Sequence, residues 1–171
     1  LNFNTTGGSN TAVGQGALYA NTTASDNVAV GREAMYTNTT GHSNVAVGHD
    51  ALYSNTTECS NSAFGHQALR NNTNDDNTGI GFSALFSNTS GFRNTALGTS
   101  AGRDVTTGDN NLLLGYYAGR STSPSGAITT ANNNVVLGDD NISNLFCADT
   151  SISSSDLRDK TDIEDFTHGL D

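Results

Sequence analysis

Tryptophan is absent from this chain of 171 residues, proline and methionine occur once each, and cysteine occurs twice. Apolar residues make up 34% of the chain, against roughly 45–50% in an ordinary globular domain. That shortage excludes a large conventional core. No run of apolar residues is long enough for a membrane-spanning helix, and no sustained heptad pattern supports a coiled coil. Basic residues are scarce too, with seven Lys and Arg against 17 Asp and Glu, for a net charge of −10. Nucleic-acid binding draws on clustered Lys and Arg to displace counterions, and no such cluster occurs. Insertion into, or attraction to, an anionic membrane is disfavoured for the same reason. Cys59 and Cys147 form neither a CxxC pair nor a zinc-ligand spacing; two free thiols or one disulfide both remain open.

What fills the chain instead is 22 Asn, 23 Thr, 18 Ser and 19 Gly, arranged periodically. The motif Asn-x-Ala-Val-Gly recurs from Asn10, Asn27, Asn44, Asn61, Asn77, Asn94 and Asn111 at steps of 17 or 16 residues. A last copy starts at Asn134 after a step of 23, the surplus falling in a Ser/Thr/Pro stretch around Pro124 that reads as a looped-out insertion. Counting the Asn as position 1, position 3 is small in the first six copies (Ala12, Ala29, Ala46, Ala63, Gly79, Ala96). Position 4 is always bulky (Val13, Val30, Val47, Phe64, Ile80, Leu97, Leu114, Leu137). Position 8 is Ala from Ala17 to Ala118; position 9 is Leu18, Met35, Leu52, Leu69 and Leu85, then Gly102 and Gly119. Position 12 carries an Asn followed by Thr at Asn21, Asn38, Asn55, Asn72 and Asn88. Leu1 falls in mid-repeat, so a piece of a longer or processed protein is expected.

Such a period is too short for a helix pair and suits one turn of a parallel β-solenoid. The alternation in Asn-x-Ala-Val-Gly predicts a strand, the Gly permits the positive φ of a corner, and Asn and Thr favour corners through side chain to backbone bonds. Two short strands and two corners per turn are expected, stacked ~4.8 Å apart. Neighbouring strand positions face opposite sides, so one face is bulky and the other nearly bare. The bare face, beside the Ala column, predicts close approach of another chain and hence an oligomer; for a rod of parallel strands a three-fold assembly is natural.

Asn-Val-Ala-Val-Gly-x-x-Ala, recurring between Gly and Ser/Asn corners, resembles the head repeats of trimeric autotransporter adhesins. The resemblance covers residues 1–138 and implies a homotrimer of left-handed parallel β-rolls. The present repeat is longer than the family's and carries the extra Asn-Thr-Thr element.

The tail reads Ser155-Asp156-Leu157-Arg158-Asp159-Lys160-Thr161-Asp162-Ile163. It resembles the opening of the intramolecular chaperone domain of phage tail fibres, tailspikes and endosialidases, whose pattern is Ser-Asp-x-Arg-x-Lys-x-x-Ile. In that family the chaperone assists trimerisation and then cuts itself off. The resemblance implies a scissile bond between Ser155 and Asp156, with Ser155 as nucleophile and Lys160 as its general base. A Ser hydroxyl needs such a base, and a Lys serves when its pKa is depressed. A short helix from about Leu157, capped by Ser154 or Ser155, is expected. The whole chain is read as all-β with three parts: a solenoid body over 1–138, a neck over 139–155, and the start of a chaperone over 156–171. The resemblance implies a structural segment of a viral tail fibre, located in the virion, that supports attachment to a host surface receptor, a glycan by expectation. No substrate-directed activity, cofactor or metal is expected. The alternative is a secreted or cell-surface adhesin, or an ice- or glycan-binding solenoid.

Four further patterns accompany the repeat. His49 and His66 share position 6 and would stack one turn apart. Their column neighbours Arg32 and Phe82 offer no third ligand, so a solvated imidazole ladder is expected. Tyr19, Tyr36, Tyr53 and Phe86 form an aromatic column expected to pack turn on turn, with sugar stacking as the other option. The Asn-Thr-Thr elements match glycosylation sequons but read as corner ladders. Asp75-Asp76 and Asp139-Asp140 lack the spacing of a calcium loop and read as charged corners.

Overall fold

The computed structural model describes residues 1–143 apart from Pro124. The neck from residue 144 onward, Cys147, the Ser155–Asp156 bond, Lys160 and the expected C-terminal helix lie outside the described residues. Eight three-residue strands follow one another: β1 (Thr11–Val13), β2 (Val28–Val30), β3 (Val45–Val47), β4 (Ser62–Phe64), β5 (Thr78–Ile80), β6 (Thr95–Leu97), β7 (Leu112–Leu114) and β8 (Val135–Leu137). They form one parallel sheet in chain order, and every strand pairs with the next in register, position 3 on position 3. The chain is therefore an all-β solenoid. The longer step into β8 leaves the register intact, with Leu112 opposite Val135, so the surplus residues loop out as expected.

Each strand stops at the Gly of position 5. At Gly31, φ is +139°, and a Cβ there would lie 2.5 Å from the carbonyl oxygen of Gly48 in the next turn. Both the dihedral and the close approach between turns demand glycine.

Two strands per turn were expected, and among the described residues one forms. The opposite side does bond turn to turn, Leu18 N–H donating to the Ala34 carbonyl at 3.0 Å and Ala20 N–H to that of Tyr36 at 3.0 Å. Position 9 interrupts it, because Leu18, Met35, Leu52, Leu69 and Leu85 adopt φ between 48° and 52°. A left-handed residue costs a bulky side chain roughly 1–2 kcal/mol. Here it turns the side chain fully inward: all five are completely buried.

These five fill the core of the first turns, and they correct the expected packing. Ala29, Ala46, Ala63 and Ala96 are also completely buried, so the small face of the strand points into its own solenoid. Small residues are needed at position 3 because position 9 fills the interior. Gly79 shows the fit, since a Cβ there would come 3.1 Å from Leu69 Cγ. In the last turns the arrangement reverses. Position 9 becomes Gly102 and Gly119, position 3 becomes Leu113 and Val136, and the Leu113 methyls occupy the space that Cβ atoms on the two glycines would need, at 2.5 and 2.8 Å. The bulky face, position 4, points outward.

Two columns of buried asparagine flank this thin core. In the first, position 1, the Asn27 side-chain oxygen accepts the Asn44 backbone N–H at 2.9 Å, and its amide donates to the Gly41 carbonyl at 2.9 Å. In the second, position 12, amide donates to amide: Asn21 to Asn4 at 2.7 Å, Asn38 to Asn21 at 3.3 Å, Asn55 to Asn38 at 3.1 Å. Each also donates across its own corner, as Asn38 does to Gly41 at 3.0 Å. The second column ends at Asn88, because Val105 and then Ile128 take over position 12 as buried aliphatics. The Asn88 side-chain oxygen is left buried with no hydrogen bond, which the missing amide at Val105 explains.

Two expectations follow. Asn38→Val removes the donor to Asn21 and the acceptor of Asn55, so it should cost about 2–4 kcal/mol, since each stranded buried polar group costs about 1–3. Val105→Asn supplies the missing donor to Asn88 but leaves its own oxygen facing Ile128, exchanging one stranded group for another, so it should cost at least about 1 kcal/mol less than Asn38→Val; denaturant midpoints measure both, and an equal loss for the two would sink the ladder account. For the core, Gly102→Leu and Leu113→Ala should each destabilise by about 1–4 kcal/mol through overpacking and cavity formation. The double variant recreates the upper turns, so it should lose at least about 0.5 kcal/mol less than the sum. Strict additivity in that double-mutant cycle would show that the two positions do not share one space.

Candidate functional site

With the interior accounted for, function has to come from outward side chains. On the outer face of the sheet the position-4 column is apolar along its length, while position 2 mixes apolar residues with Thr or Ser. Position 4 supplies Val13, Phe64, Ile80 and Leu97, of which Val13 is 57% and Leu97 50% exposed. Position 2 adds half-buried Val28 and Val45 and exposed Val135. A groove of about 380 Å³ borders the stripe at its C-terminal end, between Arg93, Thr95, Asn110, Leu112, Asn133 and Val135. Isolated exposed apolar residues need no account, whereas a column of them aligned on one face is the kind of feature that interaction surfaces share.

The aromatic column packs turn on turn, as expected. Tyr19 and Tyr36 stack at 4.9 Å with planes 1° apart, Tyr36 and Tyr53 at 5.4 Å and 3°. Arg70 continues the stack with its guanidinium carbon 4.9 Å from the Tyr53 ring centre, a cation–π contact. Desolvation in the stack, then the flanking phenols of Tyr19 and Tyr53 and the carboxylate of Glu33, push the Tyr36 phenol above its usual range.

The two histidines also stack one turn apart, their ring centres 5.1 Å distant, and His66 stacks in turn on Phe82 at 5.2 Å. Reading down that single column missed what stands beside it. Position 7 places Glu33 and Asp50 one turn apart, both held in the left-handed region at φ 56° and 58°. His49 Nε2 lies 3.3 Å from Asp50 Oδ1, and Arg70 Nε donates to Asp50 Oδ2 at 3.3 Å. On the solvent side, Arg32 pairs with Glu33 at 3.3 Å. Donor atoms of Glu33, His49 and Asp50 all lie within 4.8 Å of one another. The signal was present in the sequence as an acid at position 7 in two successive repeats, next to the His49 column.

The sequon asparagines are the second ladder. Asn21, Asn38, Asn55 and Asn88 are completely buried with their amides engaged, so a glycan on those nitrogens and the folded ladder are mutually exclusive. The acidic corners are internally bonded: Asp75 accepts the Cys59 N–H at 2.6 Å, and Asp139 accepts from Asn141 at 2.9 and 3.1 Å. Glu58 caps its own corner. Partial burial opposes its charge, but the N–H groups of Thr56 and Thr57, at 2.7 and 2.9 Å, outweigh it and hold the carboxyl below the usual range.

The proposed self-cleavage pair, Ser155 and Lys160, lies outside the described residues. Comparison of the chain with protein-family models, with curated proteins and with solved structures finds no match.

Proposed function

We propose that this chain is a structural shaft segment of a homotrimeric fibre of the viral tail-fibre or tailspike kind. In this reading it supports attachment to a host surface and is matured through a C-terminal chaperone. The observation that carries the assembly is the apolar stripe on the outer face of the sheet. One stripe per rod is what a three-fold bundle of parallel rods buries on its axis, so each chain would offer Val13, Val30, Val47, Phe64, Ile80 and Leu97 to its partners. This replaces the small position-3 column as the contact surface, because that column is spent on the chain's own core. A ladder of near-identical turns suits a load-bearing spacer, and the Ser155–Ile163 pattern supports the fibre assignment and the maturation step. Left-handed coiling and a glycan receptor belong to the same proposal. In the alternative, a secreted adhesin, the outer face would meet a foreign surface rather than copies of the chain.

Two measurements test this. Sedimentation equilibrium of protein from its natural source should give a mass built on three chains. Leu97→Asp combined with Val47→Asp should yield smaller species with the β-sheet circular dichroism of the parent; a parent that is a stable monomer would remove the fibre reading. In the full-length protein, Ser155→Ala should leave the C-terminal domain attached, seen as one band on a denaturing gel where the parent gives two, and equal cleavage of the variant would acquit Ser155 as nucleophile.

A further inference from the structure

We propose that Glu33, His49 and Asp50 form a binding site for a divalent transition-metal ion of the zinc type, clamping two successive turns of the solenoid. His49 Nε2 and Asp50 Oδ1 are both buried, and neither makes a hydrogen bond, although they stand 3.3 Å apart. The pair is close enough for attraction but not aligned for donation. The Asp50 side chain is only 10% exposed, so water does not readily serve its free oxygen. An ion between the two atoms satisfies both.

The spacing fits such an ion. Bonds of ~2.0–2.2 Å at tetrahedral angles put neighbouring ligand atoms ~3.3–3.6 Å apart, which the His49–Asp50 pair meets. Glu33 supplies the third ligand from the turn below, within 4.8 Å of the other two; its side chain is 29% exposed, and a rotamer change that closes the remaining distance exchanges the solvent-side Arg32 pairing for the ion. The second oxygen of Asp50 is held by Arg70, whose guanidinium rests on Tyr53. That bond aims the free oxygen at His49, the orienting role that hydrogen-bond partners of ligating carboxylates commonly have. Two stacked carboxylates also repel each other, and a cation between them reverses the sign. One imidazole with two carboxylates selects zinc, cobalt or nickel over the oxygen-seeking magnesium and calcium. Three protein ligands leave one position for water. This inference does not depend on the fibre reading.

The test is isothermal titration of zinc chloride into tag-free protein stripped with a chelator, alongside thermal melts with and without zinc. One zinc per chain and a higher melting temperature with zinc are expected. His49→Ala and Glu33→Gln should each weaken zinc binding by at least about tenfold. Both are partly exposed, so the zinc-free melt should stay near that of the parent. His42→Ala, at an exposed corner, should bind zinc like the parent. Absence of a zinc isotherm, or equal affinity in the parent and His49→Ala, would overturn the site, as would an equal loss in His42→Ala.

Discussion

A buried primary amide must satisfy two N–H donors and a carbonyl oxygen, and it is costly wherever one of them is left alone. Stacking near-identical turns offers a repeated solution, because most of the asparagines find the same backbone groups and the same amide one turn away; the exception is Asn55, whose oxygen accepts from Asn61 while the Asn72 amide turns to the Asn74 carbonyl. In this chain that constraint sets the architecture. The position-1 column ties each strand start to the next through Asn Oδ1 and the following Asn N–H, as at Asn44 and Asn61, 2.9 Å apart. The position-12 column ties corner to corner. Neither bond survives a one-residue slip, so the ladders hold the register that the short strands, with three residues each, are too brief to secure alone. The fold can therefore be poor in apolar residues and still be specific.

The thin core follows from the same geometry. With amides on both flanks, the interior has room for one large side chain per turn. Position 9 provides it in five turns, Val105 at position 12 in the sixth, and position 3 in the last two, so bulk moves across the interior without changing the period. The left-handed leucines are the consequence on the opposite side, where turning the side chain inward matters more than keeping a regular strand. The Asn88 oxygen, stranded where Val105 replaces the next amide, marks the place where one stabilising mode gives way to the other.

Much of this was legible in the sequence. The period, the strands around Asn-x-Ala-Val-Gly, the glycine corner, the insertion near Pro124 and the stacking of His49 on His66 all follow from spacing alone. The direction of the faces did not. Alternation says which residues share a face but not which face is inside, and the usual assumption that bulky means buried fails when position 9 already fills the interior. The decisive clue lay in the drifting repeats, where Gly102 and Gly119 appear at position 9 and, one turn later in each case, Leu113 and Val136 replace the small residues at position 3. That exchange makes sense only if the two positions share one space. The carboxylates beside His49 were missed for a related reason, since a ligand cluster on a solenoid draws on adjacent columns as well as successive turns.

The same inversion changes what the outer surface means. A solenoid that buried its valines would present the small position-3 residues to water and would need no partner. This one buries alanine and presents Val13, Val47, Ile80 and Leu97 in line on its sheet. Covering such a stripe is favourable by roughly 25 cal/mol for each Å² of apolar surface removed from water, and the gain accumulates along the rod with every added turn. In the proposed assembly, each repeat added to the solenoid would lengthen that contact in proportion. That coupling would let the proposed fibre grow by duplication of a single motif, because each new turn brings both its own hydrogen-bonded ladder and its own share of the surface that association would cover.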